Sequence, residues 1–232
     1  MTSQEIIVIS VGGSLIVPSK GDGTPDGKFL KRLREFVTTA VAGGKKLVLI
    51  AGGGRTTRTY QAALDELVET NDDDRDWIGI HATRLNGQLL KIALKEFTDE
   101  YLVTNPNELP QSDKPVIVGS GYKPGSSTDL RAVQIAKNLG ATKVINLSNI
   151  DYAYTADPNE DPNAQKIEEM TWDEFLTLIP DTWSPGLNAP FDPIASREAK
   201  ESGIEVAIIN GNKLEEIEKY LAGEEFIGSV IK

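Results

Sequence analysis

The chain has 232 residues, 39% hydrophobic and 25% charged, with no cysteine, one histidine and a formal net charge of −11. This is an ordinary globular composition that can fill a sizeable core; it excludes disulfides and thiolate metal sites, and it argues against a zinc centre or a histidine-based triad. The acidic balance disfavours nucleic acid and anionic membranes as partners, so a site for any phosphate must be gathered locally from a few basic side chains and backbone N–H groups.

In chain order, residues 1–5 lack the basic start and apolar centre of a signal peptide, and no apolar run approaches the roughly 20 residues of a membrane span. The expected location is the cytoplasm. Residues 6–10 form a β-branched run ending at Gly12-Gly13-Ser14. Phe29, Leu30, Leu33, Phe36, Val37 and Val41 then follow helical spacing. A second strand, Lys46–Ala51, ends at Gly52-Gly53-Gly54, and Tyr60, Ala63, Leu64, Leu67 and Val68 mark the next helix. The acidic run 71–76 reads as a solvated loop that caps a helix running through His81 and Thr83, and that lone histidine reads as a packed residue.

Further strands are expected at 116–118, 143–147 and 205–209, each closing on glycine or small polar residues. Thr128 reads as an N-cap, with Asp129 in the first turn and Gly140 past the end. Asp192-Pro193 starts another helix that closes at Gly203; a last helix over 213–221 precedes a terminal strand over 226–231. Continuous apolar strands alternating with helices predict an α/β three-layer α/β/α sandwich with a mostly parallel sheet and right-handed crossovers.

In such a sheet the C-terminal strand ends share one edge, and ligands bind there. Glycine lets backbone N–H groups approach phosphate oxygens, and a following helix N-terminus adds partial positive charge. One such turn is commonly a plain strand-to-helix connection; three feeding one edge form a stronger pattern. Neither G-x-x-x-x-G-K-[ST] nor G-x-G-x-x-G is present, so the P-loop and dinucleotide readings fail. Arg55 and Arg58 follow Gly54 in the first helical turns. Arg58 either grips a phosphate with its two-pronged guanidinium or lies on a solvated face paired to a nearby acid. Asp76 adjoins the apolar 77–80 segment, where its carboxylate can accept hydrogen bonds from a ribose. Asp157-Pro158 and Asp161-Pro162 carry turn chemistry, and their spacing matches no EF-hand loop.

These residues together resemble the amino acid kinase superfamily, and within it the archaeal-type uridylate kinases. The resemblance rests on Val11-Gly12-Gly13-Ser14, Gly52-Gly53-Gly54 with Arg58, Asp76-Trp77-Ile78-Gly79-Ile80 followed by Ala82-Thr83-Arg84, and Pro124-Gly125 through Ser127-Thr128-Asp129. Ser148-Asn149-Ile150-Asp151, Tyr154-Thr155-Ala156-Asp157-Pro158 and the closing Gly228-Ser229-Val230-Ile231 extend it over nearly the whole chain. It implies a single domain over 1–232, with an acceptor lobe of about residues 1–120 and an ATP lobe of about 121–232. The implied reaction moves a phosphoryl group from ATP to UMP in pyrimidine nucleotide synthesis. Gly13, Ser14, Gly54 and Arg58 would touch the ATP phosphates, and Ser148, Asn149, Tyr154 and Asp157 would hold the adenosine part. Gly53 and Asp76 would hold UMP, with Tyr122, Lys123, Pro124, Gly125, Ser126, Ser127 and Thr128 wrapping its base and phosphate. Arg58 and Asp129 are the implied catalytic residues, although a place in the helix's first turn accounts for Asp129 equally well. Mg²⁺ would travel on the nucleotide phosphates with no dedicated protein cage, and the implied assembly is a homo-oligomer, usually a hexamer.

Three positions depart from the family pattern. Ser10 stands where many members carry a first-strand lysine, Tyr152 stands where a glycine follows the Asn-x-Asp turn, and the acceptor loop opens Gly121-Tyr122-Lys123. Lys123 is a candidate source of the missing positive charge. Two alternatives stay open: a sister kinase acting on isopentenyl phosphate, carbamate or an amino acid, and a non-catalytic nucleotide- or oxyanion-binding protein. Isopentenyl phosphate kinases pair the first-strand lysine with an acceptor-site histidine, a combination that Ser10 does not supply.

Overall fold

Strand side chains alternate between two apolar layers, and that alternation builds the architecture. The computed structural model describes residues 5–158, 160–184, 187 and 189–232. In β1 (Ile6–Val11), Ile7, Ile9 and Val11 enter one core, whereas Val8 enters the other. Ser10 shares the parity of Val8, so it points to the second face. After α1 (Gly13–Ile16) and α2 (Gly27–Ala42), β2 (Lys46–Ala51) repeats the pattern: Leu47 and Leu49 go one way, Val48 and Ile50 the other. A sheet apolar on both faces must be covered on both.

The chain continues through α3 (Gly54–Asp65), α4 (Asp72–Ala93), β3 (Val116–Gly119), α5 (Thr128–Leu139) and β4 (Lys143–Ser148). Short strands β5 (Ala153–Tyr154), β6 (Lys166–Ile167) and β7 (Glu169–Met170) follow, then α6 (Trp172–Leu178), α7 (Pro193–Glu201), β8 (Glu205–Asn210), α8 (Glu215–Ala222) and β9 (Ser229–Ile231). The main sheet has the order β3-β2-β1-β4-β8-β9-β7; β5 and β6 form a separate antiparallel pair. Every pairing in the main sheet is parallel except β8 with β9. Phe29, Leu33 and Val37 of α2 and Ile217 of α8 fill one layer. Val133 and Ile135 of α5, Ala195 of α7, Phe175 and Phe191 fill the other. The expected three-layer sandwich with a mostly parallel sheet is therefore the observed fold.

Local expectations need four corrections. The N-cap of α5 is Ser127, whose Oγ accepts from the Asp129 and Leu130 N–H groups; Thr128 is already helical. Asp72, Asp73 and Asp74 are no loop but the first turn of α4. Carboxylates are favoured there by the helix dipole, and Asn71 and Asp74 close a reciprocal capping box. The apolar stripe expected over 60–68 faces outward, with α3 ending at Asp65: Tyr60, Leu67 and Val68 are 63%, 79% and 56% exposed, and the buried side chain of α3 is Gln61, donating to the Arg75 carbonyl. His81 is exposed on α4, its ring 6.2 Å from that of Trp77.

Smaller differences concern boundaries. The last helix begins at Glu215, two residues later than expected, and the terminal strand is only Ser229–Ile231. Asp192 does cap α7, accepting from the Ala195 N–H at 2.7 Å, and Gly140 takes the left-handed conformation after α5.

Candidate active site

The glycine turns meet at one edge of the sheet. Gly12 donates to the Leu147 carbonyl of β4 at 2.8 Å, Gly52 donates to the Val11 carbonyl of β1 at 2.9 Å, and Gly211 donates to the Ser148 carbonyl at 2.8 Å. The ends of β1, β2, β4 and β8 are thus stitched together by main-chain bonds. At the centre, the turns after β1 and β2 interlock. A Cβ on Gly13 would lie 2.0 Å from the Gly54 nitrogen and 2.6 Å from the Gly53 nitrogen. Gly54 has φ +63° and a Cβ there would lie 2.1 Å from the Gly13 carbonyl oxygen. Only glycine permits this approach.

A cleft of about 220 Å³ opens beside this junction. Of the residues expected at the site, Gly53, Gly54, Arg58, Asp76, Ser126, Ser127 and Thr128 line it. Arg58 is exposed, and its Nη2 donates to Ser19 Oγ at 2.6 Å, a hydroxyl partner in place of the acid considered above. Asp76 is 7% exposed and accepts from the Gly125 N–H at 2.7 Å. Burial pushes its pKa up, against the Gly125 hydrogen bond that pulls it down; Asp72 and Asp73 add to the upward push.

The loop from β3 to α5 closes one side of the cleft. Thr83 Oγ1 accepts from the Gly121 N–H at 2.8 Å, and Arg84 Nη2 donates to the Tyr122 carbonyl at 3.2 Å. Tyr122, Lys123, Pro124 and Gly125 do not line the cleft itself. Exposed Lys123 lies 5.9 Å from the Tyr122 ring centroid.

Asp129 and Ser10 sit on the sheet's second face. Ser10, 1% exposed, donates to Asp129 Oδ1 at 2.7 Å. Enclosure raises the Asp129 pKa from 3.8 to about 6; the Ser10 bond and the Asp192 N–H pull it down, and the Asp192 charge pushes it further up.

The residues expected around adenosine lie apart from that cleft. Ser148 ends β4 and Asn149 follows it, exposed. Tyr154 pairs with Lys166 across β5 and β6, and the Asp157 carbonyl closes a turn by accepting from the Glu160 and Asp161 N–H groups. Asp161 accepts from the Asn163 N–H, which is the turn chemistry anticipated. The Tyr152 ring is covered by Lys166, 4.8 Å from its centroid.

Sequence reasoning missed Lys213, whose Nζ donates to Asp151 at 2.9 Å beside Asn210. It also missed Thr57, Gln61, Gly79, Thr83, Gly121 and Trp183 along the cleft, and Asn86, which donates to the Gly52 and Gly53 carbonyls at 2.7 and 3.1 Å. The helical period placed Gln61 on an element, but its face, and the burial of Asn86, emerge only from the packing of α3 on α4.

Interlocked glycine turns, an arginine in the first turns of a helix and a loop-closed cleft at the C-terminal strand edge place main-chain amides and a guanidinium where chemistry favours anionic groups. The amino acid kinase family model matches residues 5–210, and the chain belongs to that family. It is 34% identical over 206 residues to the uridylate kinase of Pyrococcus abyssi, covering 88% of this chain and 89% of that one. It is 34% identical over 229 residues to the uridylate kinase of Methanocorpusculum labreanum, covering 97% and 94%. The crystal structure of uridylate kinase from Archaeoglobus fulgidus superposes with a TM-score of 0.79 at 28% identity, covering 97% of this chain and all of the other.

Proposed function

We propose that this protein transfers the γ-phosphoryl group of ATP to UMP, giving ADP and UDP. The observation that carries the proposal is the interlocking of Gly13 with Gly53 and Gly54, which sets the turn after β1 directly against the turn whose Gly53 and Gly54 line the cleft. The uridylate kinases to which the chain is similar supply the identity of the acceptor.

In the proposed reaction an oxygen of the UMP phosphate attacks the γ-phosphorus in line as the bond to the β–γ bridging oxygen breaks. The attacking group is already anionic, so no strong general base is required. Positioning and stabilisation of charge carry the rate. Gly13, Ser14, Gly54 and Arg58 hold the ATP phosphates; Ser148, Asn149, Tyr154 and Asp157 face adenosine. Gly53, Asp76 and the 122–128 loop take UMP. Asp129, tied to Ser10, organises the floor between them. Residues of about 1–120 then form most of the acceptor side and about 121–232 most of the ATP side of one domain, with the 122–128 loop reaching across to UMP.

Among the described residues no three His, Asp or Glu side chains gather into a metal cage. In this reading Mg²⁺ would be carried by the nucleotide phosphates, where it would supply charge neutralisation. No described helix is long and apolar enough to cross a membrane. In this reading the protein is a cytoplasmic enzyme of pyrimidine nucleotide synthesis. The exposed Leu67, Val68, Trp77, Leu85 and Ile92 of the α3–α4 side offer an apolar face for assembly into a homo-oligomer, a hexamer in this reading.

One observation favours a second reading. Ser10 fills the first-strand position with a hydroxyl already committed to Asp129, which leaves that position without a cation. A nucleotide-binding protein without turnover would be built this way. Coupled ADP release with ATP and, in turn, UMP, CMP and isopentenyl phosphate separates the readings. Saturable ADP release that requires UMP supports the proposal. Release driven by isopentenyl phosphate instead makes the protein a sister kinase, and ATP binding without acceptor-dependent release makes it a binding protein.

A further inference from the structure

Arg131, in the first turns of α5, is only 3% exposed. A guanidinium is rarely so enclosed without an acid beside it. Among the described residues no carboxylate lies within ion-pair distance of it, and Asp192 acts on it only through longer-range attraction. Its partners are neutral. Nη1 donates to Gln134 Oε1 at 2.6 Å, Nη2 donates to Ser126 Oγ, and Cζ lies 5.6 Å from the Tyr122 ring centroid. The remaining nitrogen, Nε, is buried without a partner among the described residues.

Apart from Gln134 on its own helix, these contacts all fall on the β3–α5 loop. That loop is held from α4 by Thr83, Arg84 and Asp76. Arg131 holds it from α5, the helix that carries Asp129. An apolar residue of similar volume would fill this space without the cost of burying a charge. The charge therefore serves what it touches: Ser126, which lines the cleft, and Tyr122, at the loop's start.

We infer that Arg131 is a positioning residue for the acceptor, clamping the 122–126 loop in a closed form before substrate arrives. It acts through Ser126 and Tyr122, not by touching the reacting atoms. This rests on the reading of the cleft as the UMP site. A preorganised loop lowers the ordering cost of binding for the ligand it wraps and leaves the other substrate unaffected. Arg84, whose Nε is also buried without a partner, grips the same loop from the opposite side.

The test uses the full-length protein and Arg131→Met, which keeps an apolar stem of similar length. The KM for UMP should rise about tenfold while the KM for ATP changes less than about twofold. Amide hydrogen exchange over 122–127 should accelerate about tenfold or more, with the rest of α5 still protected. Arg131→Lys keeps the charge but loses the fork, so it should recover part of the UMP affinity. Gln134→Leu removes only the acceptor at Nη1 and should shift both readouts the same way by less, which provides a reading if the methionine variant does not fold. Unchanged UMP KM and unchanged exchange overturn the inference, as does an equal rise in both KM values. A wild-type protein that turns over no UMP overturns the functional reading and this inference with it, whereas an active wild type with indifferent variants overturns the inference alone.

Discussion

Ser10 on β1 and Asp129 on α5 join the sheet to the helix that follows the acceptor loop, through a 2.7 Å hydrogen bond from the serine hydroxyl to the carboxylate. The bond spans 119 residues of sequence and sits at the end of a strand whose next residues are the first glycine turn. A serine in this place cannot offer a cation to a transferred group. It does orient a carboxylate that is otherwise pressed toward its neutral form by enclosure and by Asp192.

Asp129 sets a pH dependence whose sign follows from its pKa of about 6 against 3.8 when unperturbed. Between about pH 4 and 6 the folded state binds more protons at this residue than the unfolded state does, so stability falls as pH rises through that window. Above it the cost of holding the charge is fully present, at most about 3 kcal/mol, because part of the residue still meets solvent. Asp129→Asn keeps the acceptor for Ser10 and removes the charge. Urea unfolding should show the variant more stable than wild type at pH 7.5, with the advantage shrinking toward pH 4. An advantage that grows toward pH 4 would reverse the assignment.

Arg58 is exposed and, among the described residues, hydrogen-bonded only to Ser19, so its removal should cost little in the fold. Loss of a clamp that meets charge in the transition state typically costs about 2–4 kcal/mol. Arg58→Ala should therefore lower kcat about a hundredfold, with stability changed by less than about 0.5 kcal/mol. Near-normal turnover in a folded variant would remove Arg58 from the mechanism.

Asp76 joins α4 to the loop by accepting from Gly125. Asp76→Asn preserves shape but weakens that charge-assisted bond and any bond to a ribose. The expected result is a UMP KM raised about tenfold or more with ATP KM unchanged. Isothermal titration with each nucleotide separately checks which substrate the residue serves.

Gly53 tests the fit of the second glycine turn against the start of α3. A Cβ there would stand 1.9 Å from Thr57 Oγ1. Gly53→Ala should destabilise by about 1–3 kcal/mol and reduce activity. Adding Thr57→Ala removes the offending hydroxyl, so thermal unfolding of the double variant should recover much of the loss. Equal destabilisation in single and double variants would show that the clash lies elsewhere.

The sandwich was legible because buried parallel strands are continuous apolar runs that end in glycine or small polar residues, as 6–11, 46–51, 143–148 and 205–210 do. What the pattern could not carry was which face a helix turns inward. Tyr60, Leu67 and Val68 imitate a core stripe and lie outside, while Gln61, Asn86 and Arg131 are buried by contacts that only the assembled fold creates. The two- and three-residue strands β5, β6, β7 and β9 are too short to show a period. Of the cleft, the glycines, Arg58 and Asp76 were readable from residue type beside a turn. Thr83, Trp183 and the Ser10–Asp129 bond were not, because each depends on segments distant in sequence.

The most direct measurement is a crystal structure of the protein with UMP and a non-hydrolysable ATP analogue. The account predicts the two phosphate chains end to end at the junction of Gly13 with Gly53 and Gly54, with Arg58 turned from Ser19 onto phosphate oxygens. Nucleotides bound with their phosphates at another edge of the sheet, or with the γ-phosphate beyond reach of those amides, would contradict it.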